Sequence, residues 1–441
     1  MVSPLPLCGD TRSGQGRAGE SVTLFIAIYP PQRASCIMQG FLRQAVDRDS
    51  VAVRKIMRPW TEADPSVSEA LDVWFRDRAP ESARCTVLEV DKTLRAACLW
   101  NTDQAGQVNL LGLGAAAEAA EAGIDTRLLR ELILEWVQGG TVTANVLAAP
   151  TLPASIFHCL RGCGFFFEGR SAELGPADRP SVRLRKYFLY RTIHQDELIG
   201  FLQELMTSFG YEVRREGPGF RYRAREEFRR PFLFAQWHEI TVSGSDLVVH
   251  PPARILDWYE LETLFYPLRI CGRDERPLFL PMEKKRAEQL MDLSQHDPLQ
   301  KSLFEASGEC QERVLRLNNL TYSHPVGGSA IRKGLPFLFY VNKIGVVGAA
   351  KVEDAYLDEP DNVCRKLQEI GEIDSQDVHE QAATAGPRMG MVQVITYQWY
   401  QAFSKAVSLE EIRGIDPSFN PQRTRLVSSR LFDAIVARGA S

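Results

Sequence analysis

The chain has 441 residues, 44% hydrophobic and 24% charged, with a net charge of −4. That is room for two or three domains with cores of their own, in a soluble globular composition. It excludes a global field drawing the chain to nucleic acid or anionic membrane, and no apolar run is long enough to span a bilayer.

Residues 1–50 read as an N-terminal extension, partly disordered, with Gly, Ser, Arg and Pro dominating the first twenty. Pro4, Pro6, Asp10 and Arg12 precede the first apolar stretch, which argues against a signal peptide. That stretch, 22–29, can form a strand stopped by Pro30 and Pro31. Residues 51–56 alternate loosely and read as a strand, and 62–75 as a helix with Val67, Ala70, Leu71 and Trp74 on its apolar face. Strands at 84–90 and 93–100 form a hairpin around Asp91 and Lys92. A strand at 107–113 precedes an amphipathic helix at 124–137, closed by Gly139 and Gly140. A strand at 141–147, a helix at 155–161 and strands at 165–167 and 185–190 complete an α/β unit over 51–192.

A connecting α/β region follows over 193–311. It holds helices at 195–209 and 255–265, an Arg-aromatic stretch at 214–230, a strand at 278–281, a helix at 283–291 and a polar linker at 297–311. The last region, 312–441, has strands at 335–340, 344–352 and 391–397 and a closing helix at 427–436. That pattern suits a small barrel or half-open sheet.

Nine irregularly spaced cysteines, with no repeated Cys-x-x-Cys pair, read as reduced thiols of a cytoplasmic protein and give no metal site. His158, Cys159 and Cys163 lie close in sequence but lack a fourth ligand and read as core packing. Gly112-x-Gly114-x-x-Ala117 has the outline of a dinucleotide fingerprint. The next strand ends in Ala148-Ala149-Pro150, without the acid that the ribose needs, so the match is a coincidence.

The stretch Gly123-Ile124-Asp125-Thr126-Arg127-Leu128-Leu129 follows a strand and opens a helix, where unpaired backbone N–H groups can hold phosphate. It resembles the acetyl-CoA loop of the GNAT acyltransferases, written Arg/Gln-x-x-Gly-x-Gly/Ala. The segment 156–165, ending in Gly164-Phe165, resembles that family's late helix and Gly-Phe pair. The resemblance covers about a third of the chain. It implies a GNAT-like mixed sheet with flanking helices, and acetyl-CoA bound through the backbone of Gly123, Ile124, Asp125 and Thr126.

Three positions depart from the pattern. Ala120 stands at the loop's Arg/Gln, and Asp125 at its last Gly/Ala. A carboxylate about 4 Å from a phosphate charge costs roughly 4 kcal/mol at an effective dielectric near 20, on the order of a thousandfold in affinity. The same carboxylate is favourable at a helix N-terminus. Leu160 stands where many family members carry a Tyr as general acid, which leaves Glu89 and His158 as candidate acid–base groups.

Two further segments bear on nucleic acid. In the Arg-aromatic stretch, Arg221, Arg223 and Arg225 alternate with Phe220 and Tyr222; this suits phosphate contact beside base stacking, or a solvated strand face. Segments 332–341 and 346–352 resemble strands of the PUA-like barrels, in particular the ASCH and EVE branches, over about a quarter of the chain. That resemblance implies binding of RNA or modified bases, with Arg332, Lys333 and Lys343 the nearest basic residues. The resulting expectation is an acyl-CoA-dependent N-acyltransferase whose acceptor is RNA-linked or RNA-associated. The competing expectation is a non-catalytic RNA-binding protein on a degenerate GNAT scaffold.

Overall fold

Residues 50–63 carry apolar side chains at Val53, Ile56, Met57 and Trp60, the i, i+3, i+4, i+7 spacing of a helix face, and all four are buried in one helix. This corrects the strand expected at 51–56. A short window shows the alternation of Val51 and Val53, whereas the helical period emerges only once Met57 and Trp60 are included. The computed structural model describes residues 39–77, 83–171, 181–208, 211–216, 219–224, 238–243, 246–250, 254–256, 258–272, 275–284, 286–287, 313–316, 319–326, 331–368, 375–383 and 390–440. The strand expected at 22–29, the disorder of the first twenty residues, the linker at 297–311 and most of the helix at 283–291 lie outside them.

The chain starts with β1 (Gln39–Gln44), α1 (Ser50–Ala63) and α2 (Pro65–Asp77). The hairpin β2 (Arg84–Val90) and β3 (Thr93–Thr102) turns at Asp91 and Lys92, with φ of 50° and 58°. Two positive values are what a two-residue hairpin turn of matching twist needs. β4 (Val108–Ala115), α3 (Ala117–Glu121), α4 (Ile124–Gln138), β5 (Thr143–Ala148), α5 (Ala154–Gly162), β6 (Phe166–Ser171) and β7 (Ser181–Tyr187) follow.

A middle region holds β8 (Thr192–His194), α6 (Leu198–Ser208), β9 (Tyr211–Glu216), β10 (Gly219–Ala224), β11 (His238–Ser243), β12 (Asp246–His250), β13 (Arg254–Leu256), α7 (Trp258–Leu264) and β14 (Arg269–Cys271). The rest of the chain is β15 (Leu278–Met282), β16 (Arg313–Arg316), β17 (Leu320–Ser323), β18 (Pro336–Val341), β19 (Gly345–Asp358), α8 (Pro360–Gln368), α9 (Ser375–Ala383), β20 (Val392–Val407), α10 (Leu409–Ile415), β21 (Arg425–Leu426) and α11 (Ser429–Ala440).

Two large sheets carry the architecture, a mixed α/β one. The first has eight strands in the order β16-β1-β2-β3-β4-β5-β7-β6, antiparallel except for the parallel pair β4–β5. Helices α1 and α4 pack on β3 and β4, and Trp100 of β3 meets Trp136 of α4 edge-on at 5.6 Å. On the α1 side the approach is close: a Cβ at Gly114 would sit 2.9 Å from the Ile56 carbonyl. Packing is therefore the use of the glycines that mimic a dinucleotide fingerprint. The second sheet has six strands, β17-β20-β19-β18-β15-β21, curled into a half-barrel with β15 and β18 parallel. A five-stranded antiparallel sheet, β13-β12-β11-β10-β9, lies in the middle region. No helix among the described residues is long and apolar enough to cross a membrane.

Order in space does not follow order in sequence. β15 joins the second sheet, β16 then returns to the edge of the first, and β17 enters the second again. Side chains reinforce this interleaving. Trp399, from β20, is buried in the same apolar cluster as the first sheet's core, stacked on Tyr266 at 4.9 Å. Arg130 of α4 lies 5.8 Å above the Trp399 ring and 3.7 Å from Glu353 of β19.

Lys186 of β7 is fully buried and donates hydrogen bonds to the carbonyls of Thr263 and Leu264, at 3.0 and 3.2 Å, at the end of α7. Burial pulls its pKa down to about 7. The unfolded chain keeps the ordinary lysine value, so between pH 7 and about 10.4 it binds more protons than the native state, and stability rises with pH across that window. Urea unfolding of the wild type should gain on the order of a few kcal/mol from pH 7 to 10 relative to Lys186→Met. Parallel profiles for the two proteins would refute the lowered pKa of Lys186.

Candidate functional site

β4 and β5 pair in register only at Val108↔Ala144, Asn109↔Asn145 and Leu110↔Val146, while β4 continues to Ala115. On its other side β4 is bulged: Leu99 pairs with Gly112 and Trp100 with Leu110, so Leu111 has no register partner on β3. A bulge leaves its extra residue out of the ladder and re-aims the strand. Leu111 thus sits where β4 and β5 cease to pair, and this end of the seam is the candidate opening for a ligand. Trp60 of α1 donates to the Leu113 carbonyl at 2.6 Å and braces β4 beyond the bulge. Across the paired end of the seam runs a row of amides. Asn109 donates to Asn101 at 3.2 Å, Asn145 to Gln107 at 3.3 Å, and Arg185 of β7 to Asn145 at 2.7 Å.

At the other end of the opening, β4 leads through α3 to the start of α4. Gly123 is the N-cap, with φ of 71°, a conformation in which a side chain would be strained. Ile124 and Asp125 are buried, and Gly123 and Thr126 half-buried. The Asp125 carboxylate, on a residue only 5% exposed, accepts from the Thr126 backbone N–H at 2.7 Å and from the Thr126 hydroxyl at 3.4 Å. It also meets its own backbone N–H. Burial pushes its pKa above the usual carboxylate range, and these hydrogen bonds restrain the rise. The nearby cations are directed elsewhere: Arg127 lies 3.7 Å from Glu131, and Arg130 pairs with Glu353. Cys163, just past α5, donates its thiol to the Thr126 carbonyl at 3.8 Å and ties the two helices together. The first amides of α4 therefore already hold an anion, and it belongs to the chain.

The candidate acid–base groups have surroundings of their own. Glu89 lies on β2 and accepts two hydrogen bonds from Arg43, at 2.5 and 3.1 Å. Arg43 also clasps Asp49 at 2.6 Å; burial raises the Asp49 pKa, but the guanidinium overcomes this and holds it below the usual range. Glu89 belongs to a structural triad. His158 is exposed on α5, away from the buried Cys159 and Cys163, and Leu160 is fully buried in the core. Among the described residues no group of His, Cys, Asp or Glu is placed to hold a metal ion.

The basic candidates are spread over three places. Arg221 is exposed on β10, and Arg223 stands two residues further along the same strand. The side chain of Arg223 and residues 225–230 lie outside the described set. Arg332 and Lys333 are exposed before β18, with Arg332 paired to Glu275; Lys343 is exposed after β18. Six strand residues, roughly 20 Å, separate these two groups. Sequence reasoning missed a polar cleft of about 280 Å³ in the second sheet. There the Arg286 guanidinium lies 3.6 Å over the Tyr322 ring and donates to Thr321 at 2.8 Å, and the Tyr322 hydroxyl donates to Asp377 at 2.8 Å. His324, Asn342, Gln381 and Gln422 complete the walls. Its residues come from five separate segments, so no local motif could signal it.

No family model matches the chain, and no curated protein does. Solved structures resemble it over about a third of its length each. An ASCH protein from Zymomonas mobilis shares 10% identity over 37% of this chain and 96% of its own, with a TM-score of 0.26. A putative acetyltransferase of the GNAT family from Desulfovibrio desulfuricans shares 16% over 34% and 98%, with a TM-score of 0.29. An acetyltransferase from Bacillus subtilis, in complex with CoA, shares 15% over 34% and 99%, with a TM-score of 0.27. Both ASCH proteins and GNAT acetyltransferases are thus among its structural neighbours.

Proposed function

We propose that the chain is an acetyltransferase-type N-acyltransferase that takes an acyl thioester into the β4–β5 opening and an RNA-linked or RNA-associated amine as acceptor. One observation carries the reading: the bulge at Leu111 coincides with the end of β4–β5 pairing. An extended ligand with amide groups can add to exposed strand edges as another strand would, and the pantetheine arm of coenzyme A is such a ligand. The acid–base candidates have surroundings of their own, so the reading relies on placement of the reactants, which alone can supply a large share of a rate. The polar cleft of the second sheet supports the RNA part of the reading. It offers hydrogen-bonding groups, among them His324, Asn342 and Gln422, and Arg130 of α4 reaches Trp399 of that sheet.

The full coenzyme fits only in part. The opening suits pantetheine; the start of α4, filled by the Asp125 carboxylate, does not suit a pyrophosphate. The position of Asp125 is also the observation behind the second reading, a non-catalytic RNA-binding protein on a degenerate acetyltransferase scaffold.

Calorimetric titration with acetyl-CoA separates the two. The enzyme reading expects wild-type binding at micromolar Kd, about −8 kcal/mol. No wild-type binding, with binding appearing in Asp125→Gly, would leave the scaffold reading. For the RNA part, a salt-dependent gel shift should weaken in Arg332→Ala/Lys333→Ala. A shift that survives both substitutions would remove those residues from the interface.

A further inference from the structure

The donor opening and the helix start make different demands on one ligand. Beyond Leu110 and Val146 β4 and β5 are no longer paired, and Leu111 is bulged out of its ladder with β3. A thioester arm can use that. At the start of α4 the amides of Asp125 and Thr126 face the Asp125 carboxylate, with Thr126 N–H only 2.7 Å from Oδ1. A ligand phosphate at that position would have to displace a buried carboxylate from its donors and lie against its charge. The backbone around the carboxylate is fixed on two sides. Gly123 sets the helix entry before it, and Cys163 holds the Thr126 carbonyl after it. Freeing these amides would take from a buried carboxylate the hydrogen bonds it has, which is itself costly.

We propose that this site selects its acyl donor by the pantetheine arm and gains nothing from the nucleotide half of coenzyme A, so that Asp125 permanently takes the place of the donor's pyrophosphate. The inference rests on the acyl-donor reading of the opening. It adds a donor class: simple pantetheine thioesters, and thioesters of pantetheine carried on larger molecules, serve as well as acetyl-CoA. The departure at Asp125 then marks a change of donor specificity rather than loss of the site.

The test is calorimetric binding of acetyl-CoA and of S-acetylpantetheine to the full chain, as wild type, Asp125→Asn and Asp125→Gly. Wild type should bind both within about threefold of each other. The two substitutions should tighten acetyl-CoA by about tenfold or more and leave S-acetylpantetheine unchanged. Asp125→Asn keeps the size of the buried side chain, so it serves if the glycine variant fails to fold; the wild-type comparison needs neither. Wild-type preference for acetyl-CoA by about tenfold or more would overturn the inference and leave the donor reading standing. Loss of acetyl-CoA binding in the folded asparagine variant would overturn it too. Failure of both ligands to bind any of the proteins would instead remove the donor reading itself.

Discussion

An α-helix begins with backbone N–H groups that no turn of its own can satisfy, and something must accept from them. In α4 the acceptor is Asp125, one residue into the helix and nearly out of contact with water. A buried carboxylate is tolerable only while it is hydrogen-bonded, so helix start and side chain depend on each other. Gly123 supplies the turn and Cys163 anchors the next carbonyl. The place where a bound phosphate could have ended the helix is thereby closed by the chain itself, while β4, which leads to it, ends its pairing with β5 at Leu110.

That opening depends on the sheet around it. β4–β5 is a parallel pair between antiparallel neighbours, its pairing stops at Leu110 and Val146, and the bulge at Leu111 falls at that point. The second sheet is tied to the same helix. Trp399 holds a left-handed backbone conformation at an irregular point of β20, φ 57°, and is buried between Tyr266 and Arg130. A bulky residue adopts that conformation only when its surroundings compel it. Trp399 therefore joins the first sheet's core while the second sheet keeps apolar clusters of its own, and Arg130 links α4 to it.

Much of this was legible locally. The hairpin at Asp91 and Lys92 is read from its turn, and α4 from its amphipathic period between Gly123 and Gly139. Asp125 stood out because it breaks a pattern that chemistry makes strict. What the sequence hid is non-local. Residues 313–316 give four residues of strand with no turn signal, and only their pairing with β1 makes them part of the first sheet. Only the start of β20, 391–397, was legible. Its second half alternates around exposed Gln401 and Ser404 and is held by β19, not by its own apolar run. The bulge at Leu111 and the cleft around Tyr322 arise from registers and from distant segments, which no window along the chain contains.

The most direct test of the central claim is hydrogen exchange at the Thr126 amide, with and without acetyl-CoA. If Asp125 is the permanent acceptor, that amide is protected in the free protein and its protection does not change when the donor binds. Rapid exchange in the free protein, slowed by acetyl-CoA, would show that the amide waits for a ligand phosphate and would contradict the account.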